Sequence, residues 1–267
     1  MTLDLSLAAD FAEGAARTAG AMLRRDFLLP RQVRDKGVND LVTQSDLNSE
    51  RLIARMLHHA FPDHGISAEE FGDHERGTDF TWWIDPLDAT HNFVHGIPRF
   101  SVSIACVDSE GLPLLGIVYD PMRDECFRAV RGEQATCNGA AIHVSSAVRL
   151  RDSLIASGFR ADLSTEPNNM REWAAFVSRT QGASRMGSAA LDMCYVAAGR
   201  FDLYWEYATP PLLDRVAGQL IVECAGGRVT TCEGAPFYFL RASCVMASNA
   251  TIHDEALAVI REVSGGQ

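Results

Sequence analysis

Apolar residues recur at helical spacing near the start of the chain. Leu7, Ala8, Phe11, Ala15, Ala19, Met22 and Leu23 would line one stripe of a helix, which predicts an amphipathic α-helix over residues 4–26. Residues 34–40 are polar and include Gly37 and Asn39, types that suit a turn or a mobile loop. A second helix is expected from Ser45 and Asp46, with Leu52, Ile53, Met56 and Leu57 on its inner face, ending before Phe61 and Pro62. Strand-like runs follow at 80–84, 100–107, 114–119 and 125–130, separated by turn-forming segments 108–111 and 120–124. Connections this short imply antiparallel hairpins. In the first run, Trp82 and Trp83 would alternate between core and surface.

From about residue 150 the pattern changes. Strand candidates at 153–157, 201–205, 227–231 and 243–247 alternate with helical stretches near 168–180, 188–198, 214–225 and 251–262. That alternation predicts a mixed or partly parallel sheet with helical layers. No repeat, low-complexity segment or linker interrupts the chain. The two halves, 1–148 and 149–267, are expected to pack as one unit with a cleft between them.

The chain has 267 residues, 47% of them hydrophobic, enough for a large core. Its net charge of −11 argues against a general affinity for nucleic acid or anionic membranes, and suits gathered carboxylates. The first ten residues lack the basic start and apolar core of a signal peptide, and no apolar stretch approaches the roughly 18 residues of a membrane span. Seven cysteines form no C-x-x-C pair and read as reduced, mostly buried thiols of a cytoplasmic protein, with no zinc site among them.

Asp85 and Asp88 close the first strand-like run, and Pro86 lies between them. Residues three apart in a strand face opposite ways, so both carboxylates reach one side only if Pro86 and the turn after it break the alternation. A helix from Thr90 to His95 would then offer unpaired N–H groups to a phosphate. The alternative is a turn in which Asp88 caps that helix. Glu69 and Glu70 could add a hard oxygen ligand to a two-metal site, or be a solvated acidic pair. Asp214 stands where a helix begins, as a metal ligand or as an N-cap. That helix would bury Val216, Ala217, Leu220, Ile221 and Cys224 and stop at Gly226 and Gly227. His91 and His95 flank the motif without a third histidine nearby and are not expected to bind metal. Lys36 is the only lysine in the chain, which suggests a position that wants a compact, flexible charge, or simply a solvated loop.

Together and in this order, these segments resemble the inositol monophosphatase family of Mg²⁺-dependent, lithium-sensitive phosphatases. Its central motif runs apolar, Asp, Pro, Ile or Leu, Asp, Gly or Ala, Thr, any residue, Asn, Phe, and is met by residues 84–93. A Glu pair upstream matches Glu69 and Glu70, and a later Asp-containing helix ending in Ala-Gly-Gly matches Asp214 to Gly227. Segments 40–46, 93–98, 116–121, 137–139, 187–192 and 204–206 extend the resemblance over most of the chain. It implies an α+β, layered αβαβα sandwich, with an antiparallel sheet in the N-terminal half and a mixed sheet in the C-terminal half.

It also implies roles. Glu69, Asp85 and the carbonyl of Leu87 would hold one Mg²⁺. Asp85, Asp88 and Asp214 would hold a second, and Glu69 with waters a third, weaker ion. Thr90, hydrogen-bonded to Asp46, would orient the attacking water, and the N–H groups of Ala89 and Thr90 would bind the phosphate. Glu206 would meet inositol hydroxyls, and Lys36 would lie near the metal site. The chain departs from the pattern in three places. Ala89 stands for the commoner glycine, tolerable if the backbone there needs no positive φ. Leu213 stands for a tryptophan, and the segment 207–213, with Pro210 and Pro211, is longer than usual. Substrate contacts are affected most. Gly187 to Ala190 would approach the substrate or allow close helix packing, and Asp192 is expected to be structural.

The expected activity is hydrolysis of a small polyol phosphate, first of all inositol 1-phosphate, by metal-activated water in a cytoplasmic homodimer. Histidinol phosphate, fructose 1,6-bisphosphate and 3′-phosphoadenosine 5′-phosphate are alternatives within the same chemistry. A different class, a regulatory protein that binds the transcription machinery, need not use the site.

Overall fold

A computed structural model describes residues 3–29, 33–37, 40–70, 72–74, 79–159, 164 and 168–264. The first half contains helix α1 (Leu5–Asp26), strands β1 (Val33–Gly37) and β2 (Asp40–Thr43), helix α2 (Gln44–Ala60), β3 (Gly65–Ala68), β4 (Gly72–His74), β5 (Phe80–Asp88) and the short helix α3 (Thr90–Val94). Strands β6 (Ser101–Asp108), β7 (Pro113–Asp120), β8 (Glu125–Val130), β9 (Thr136–Cys137) and β10 (Ala140–Ala141) follow. The second half contains β11 (Leu154–Ser157), α4 (Met170–Val177), β12 (Gly182–Ser184), α5 (Ala189–Ala197), β13 (Leu203–Tyr207), α6 (Arg215–Cys224), β14 (Arg228–Thr230), β15 (Cys244–Ser248) and α7 (His253–Ser264).

The expected hairpins form: β5 to β8 pair antiparallel in sequence order within an eight-stranded sheet, order β10-β9-β8-β7-β6-β5-β3-β4. Among the described residues, the one parallel contact in this sheet is β3 with β5. The second sheet, order β12-β11-β13-β15-β14, is mixed: β11 runs parallel to β12 and β13, and β15 antiparallel to β13 and β14.

Five layers result. α1 and α2 cover one face of the large sheet, and α1 does so through Ala8, Ala9, Ala12, Ala15, Ala16 and Ala19, small side chains that let helix and sheet approach closely. α5 and α6 lie between the two sheets, so α5 is apolar nearly all round rather than amphipathic. At Gly116 the backbone of β7 meets α6: a Cβ there would lie 2.8 Å from the Ala217 Cα. α4 and α7 close the outer face of the second sheet over Ile155, Phe176, Trp205 and Ile260.

Two expectations need correction. Residues 34–40 were expected to form a turn or loop, yet β1 and β2 make an antiparallel hairpin pairing Val33 with Thr43 and Gly37 with Asp40. A ladder uses backbone groups, so polar side chains do not forbid it; residues 38 and 39 between the strands lie outside the described residues. Trp82 and Trp83 do not alternate between core and surface, because both are buried, at 0% and 5% exposure. Trp82 points into the α1–α2 core and Trp83 into the middle layer, where its ring meets Phe239 edge-on at 4.9 Å. The second half of the chain covers the face that a free-standing sheet would expose to water.

Candidate active site

The alternation that would separate Asp85 from Asp88 is broken by a β-bulge. Asp85 pairs with Ser103 and Asp88 with Ser101, so three steps on β5 oppose two on β6. Both side chains are buried, at 4% and 6% exposure, and Leu87 N–H donates to Asp85 Oδ1 at 3.0 Å. Asp214, at the N-terminus of α6, makes no side-chain capping bond there. Instead, carboxylate oxygens of Asp85, Asp88 and Asp214 lie within 4.8 Å of one another. Among the described residues no other group of three acidic, histidine or cysteine side chains is gathered this way.

Such a cluster is electrostatically expensive without a cation. Burial first, then the charges of Glu69, Asp88 and Asp214, push the Asp85 carboxyl well above its ordinary range. Burial and the Asp214 charge push Asp88 up to about 6, against the hydrogen bond from Ser188. Glu69 lies outside the tight group but lines the same cleft of about 880 Å³ as Asp85, Asp214 and Arg215.

Asp88 is fixed from two layers. Ser101 Oγ on β6 donates at 3.1 Å, Ser188 Oγ donates a shorter bond, and Ala190 N–H at the start of α5 donates at 3.1 Å. Gly187 to Ala190 therefore serves the site by holding a carboxylate. Nothing in the local pattern of Ser101 or Ser188 signals this, because the contact crosses 100 residues of chain for Ser188. Asp192, one turn on, holds Arg99 in a buried pair at 2.6 Å.

Thr90 Oγ1 lies 3.0 Å from Asp46 Oδ1 and 3.2 Å from the Leu87 carbonyl. Asp46 is the third residue of a capping box on α2: Thr43 N–H donates to its Oδ2 at 2.8 Å, and Thr43 Oγ1 also donates to it. Burial raises the Asp46 carboxyl despite these bonds. Ala89, between the motif and α3, has φ 74° and ψ 49°. The position does require a left-handed backbone, contrary to the condition under which alanine would be harmless there, so Ala89 carries strain a glycine would not.

Glu206, on β13, is buried and its Oε2 accepts from Tyr204 Oη and from Arg215 Nη2. Arg215 Nη1 also donates to Asp214. The pattern of residues did not single out Arg215; its place directly after Asp214 was the available signal. Glu206, Arg215, Asp88 and Asp214 line a smaller cavity of about 110 Å³. His91 and His95 are exposed. The Lys36 side chain lies outside the described residues. All seven cysteines are unpaired, five of them buried. No helix among the described residues is long and apolar enough to cross a membrane.

Known proteins share this arrangement of chain. Residues 4–264 match the model of the inositol monophosphatase family. The chain is 38% identical over 255 residues to a Nus factor SuhB of Pseudomonas aeruginosa, covering 92% of this chain and 93% of that protein. It is 39% identical over 255 residues to an inositol-1-monophosphatase of Synechocystis, covering 94% and 88%. The solved structure of inositol monophosphatase from Anabaena superposes with a TM-score of 0.88 at 38% identity, over 98% of both chains.

Proposed function

The chain belongs to the inositol monophosphatase family of metal-dependent phosphatases that hydrolyse phosphomonoesters, and from that premise we propose that it acts on a small phosphorylated polyol with Mg²⁺, inositol 1-phosphate being the first candidate. The observation that carries this reading is the convergence of Asp85, Asp88 and Asp214 within 4.8 Å. A divalent cation offsets both the burial and the mutual repulsion that raise these carboxyls, and carboxylate oxygens suit hard Mg²⁺. We assign Glu69, Asp85 and the Leu87 carbonyl to one ion, and Asp85, Asp88 and Asp214 to a second. Glu69 with waters would take a third, weaker ion. Bound there, the ions would supply Lewis-acid stabilisation of charge developing on the phosphoryl oxygens.

The remaining steps belong to the protein's own groups. Thr90 is no base at neutral pH, so its hydroxyl, directed at Asp46, orients the attacking water and Asp46 accepts the proton. The raised carboxyl of Asp46 improves it as an acceptor. The N–H groups of Ala89 and Thr90 precede the first intrahelical bonds of α3 and are assigned to the phosphate. Glu206 is assigned to a substrate hydroxyl, which must then share the carboxylate with Tyr204 and Arg215. Lys36 is assigned to charge neutralisation near the metals. A cleft of about 880 Å³ has room for a small sugar or cyclitol phosphate. A homodimer in the cytoplasm is the assembly and location proposed, the latter from seven unpaired thiols.

Phosphate release from inositol 1-phosphate, histidinol phosphate, fructose 1,6-bisphosphate and 3′-phosphoadenosine 5′-phosphate tests the reading. Release that needs Mg²⁺ and is inhibited by lithium is expected for at least the first. No Mg²⁺-dependent release from any of the four would sink it. A second reading, a role in transcription, is supported by relatives named Nus factor SuhB. Binding of the purified protein to transcription complexes, unchanged by Asp88→Asn, would favour that role beside the enzyme.

A further inference from the structure

The two cavities of the site meet at Arg215, which lines both. One Nη of its guanidinium donates to Asp214 and the other to Glu206. The side chain is 10% exposed, so both ion pairs are largely removed from water. A guanidinium stays charged at every accessible pH and binds two carboxylates through a fixed fork. It therefore places a permanent positive charge on one of the three carboxylates gathered for a metal.

Those demands compete. The Asp214 oxygen that accepts from Arg215 cannot give its full charge to a metal ion, and an ion beside Asp85, Asp88 and Asp214 repels the guanidinium in a poorly solvated space. Glu206 is the second seat. Arg215 Nε is buried without a hydrogen-bond partner, so the present position does not satisfy all the donors of the group, and a small shift loses nothing at that nitrogen.

We propose that Arg215 is a resident cation of the carboxylate cluster, competing with divalent metal for Asp214 and retained by Glu206 when metal enters. Glu206 then sets metal affinity through Arg215, and a substrate hydroxyl on Glu206 is linked to the metal on Asp214 by one side chain. This rests on the metal centre proposed above.

The test is Mn²⁺ binding by titration calorimetry to the full chain without substrate, with folding checked by circular dichroism. Arg215→Met keeps an apolar stem and removes the charge; it is expected to bind Mn²⁺ about tenfold more tightly, equivalent to about 1.4 kcal/mol. Glu206→Gln is expected to weaken binding in the otherwise unchanged chain, because Arg215 then rests on Asp214 alone, and to have no effect in the Arg215→Met background. Unchanged or weaker binding by Arg215→Met, or the same weakening by Glu206→Gln in both backgrounds, overturns the proposal. If Arg215→Met does not fold, Arg215→Gln, which also removes the charge, takes its place in both comparisons with the same outcomes. Absence of Mn²⁺ binding by the unsubstituted protein overturns the metal centre itself, a result distinct from the others.

Discussion

Asp88→Asn should make the metal-free protein more stable while abolishing its activity. In the native state Asp88 is buried and its carboxyl is raised from 3.8 to about 6, chiefly by burial and by Asp214. An acid raised in this way is bound to its proton more tightly in the folded chain than in the unfolded one. The penalty is absent below about pH 4, where both states are protonated, grows as pH rises, and is complete above about pH 6. A rise of about two pH units corresponds to roughly 3 kcal/mol. Ser188, Ser101 and Ala190 N–H all donate to the same oxygen, Asp88 Oδ2, so the single amide oxygen of asparagine keeps these bonds but without charge assistance, a loss of about 1 kcal/mol. The net expected gain at pH 7.5 is about 1–2 kcal/mol, or roughly 2–8 °C in Tm for a chain of this size. Urea or thermal unfolding in EDTA at pH 7.5 and at pH 4 measures it, and the gain should vanish at the lower pH. Added Mg²⁺ should stabilise the unsubstituted protein more than Asp88→Asn, which keeps the site assigned to Glu69, Asp85 and the Leu87 carbonyl but loses a ligand of the second. If Asp88→Asn is the less stable protein in EDTA at pH 7.5, strain in the carboxylate cluster is refuted.

Thr90→Val and Asp46→Asn should each lower kcat by about 10²–10⁴ with little change in KM, measured on whichever substrate the panel identifies; an unchanged kcat removes the proton path. Ala89→Gly should leave stability unchanged or raise it by up to about 1 kcal/mol, because relief of the left-handed alanine is partly offset by a freer unfolded chain. Ala89→Val, with a branched Cβ at the same φ, should lose about 2 kcal/mol or more in urea unfolding, and equal stability of all three would contradict the strain. His253 is buried between Thr230 and Ser248, each 2.8 Å from a ring nitrogen, and burial lowers it to about 4. The unfolded chain takes up that proton first, so stability should fall as pH drops from about 6.5 towards 4, and the fall should be shallower in His253→Gln.

Helices α1, α2, α5, α6 and α7 and strands β5 to β8 were legible in the chain because each carries a local period or a bounded apolar run, and local periods need no partner. The hairpin β1–β2 was not, since backbone pairing leaves no mark on polar side chains. The motif from Asp85 to Thr90 and Asp214 at a helix start were nameable from residue types and order, and Asp46 as partner of Thr90 followed from the family resemblance. Whether Asp85 and Asp88 could face one way was not. That depended on the bulge against Ser101 and Ser103, a property of two strands together.

The sequence by itself therefore determined the helices, the antiparallel hairpins and the candidate carboxylates, and its resemblance to a family implied how they are layered and combined. Tertiary structure decided what surrounds them. It buried both Trp82 and Trp83 by packing a second sheet and two helices over a face that would otherwise meet water. It set Ser188 and Ala190 against Asp88, and Arg215 between Asp214 and Glu206. A side chain's charge is written in the sequence, but its energy depends on which charges lie within a few ångströms and how much water remains between them. Both are consequences of contacts far apart along the chain.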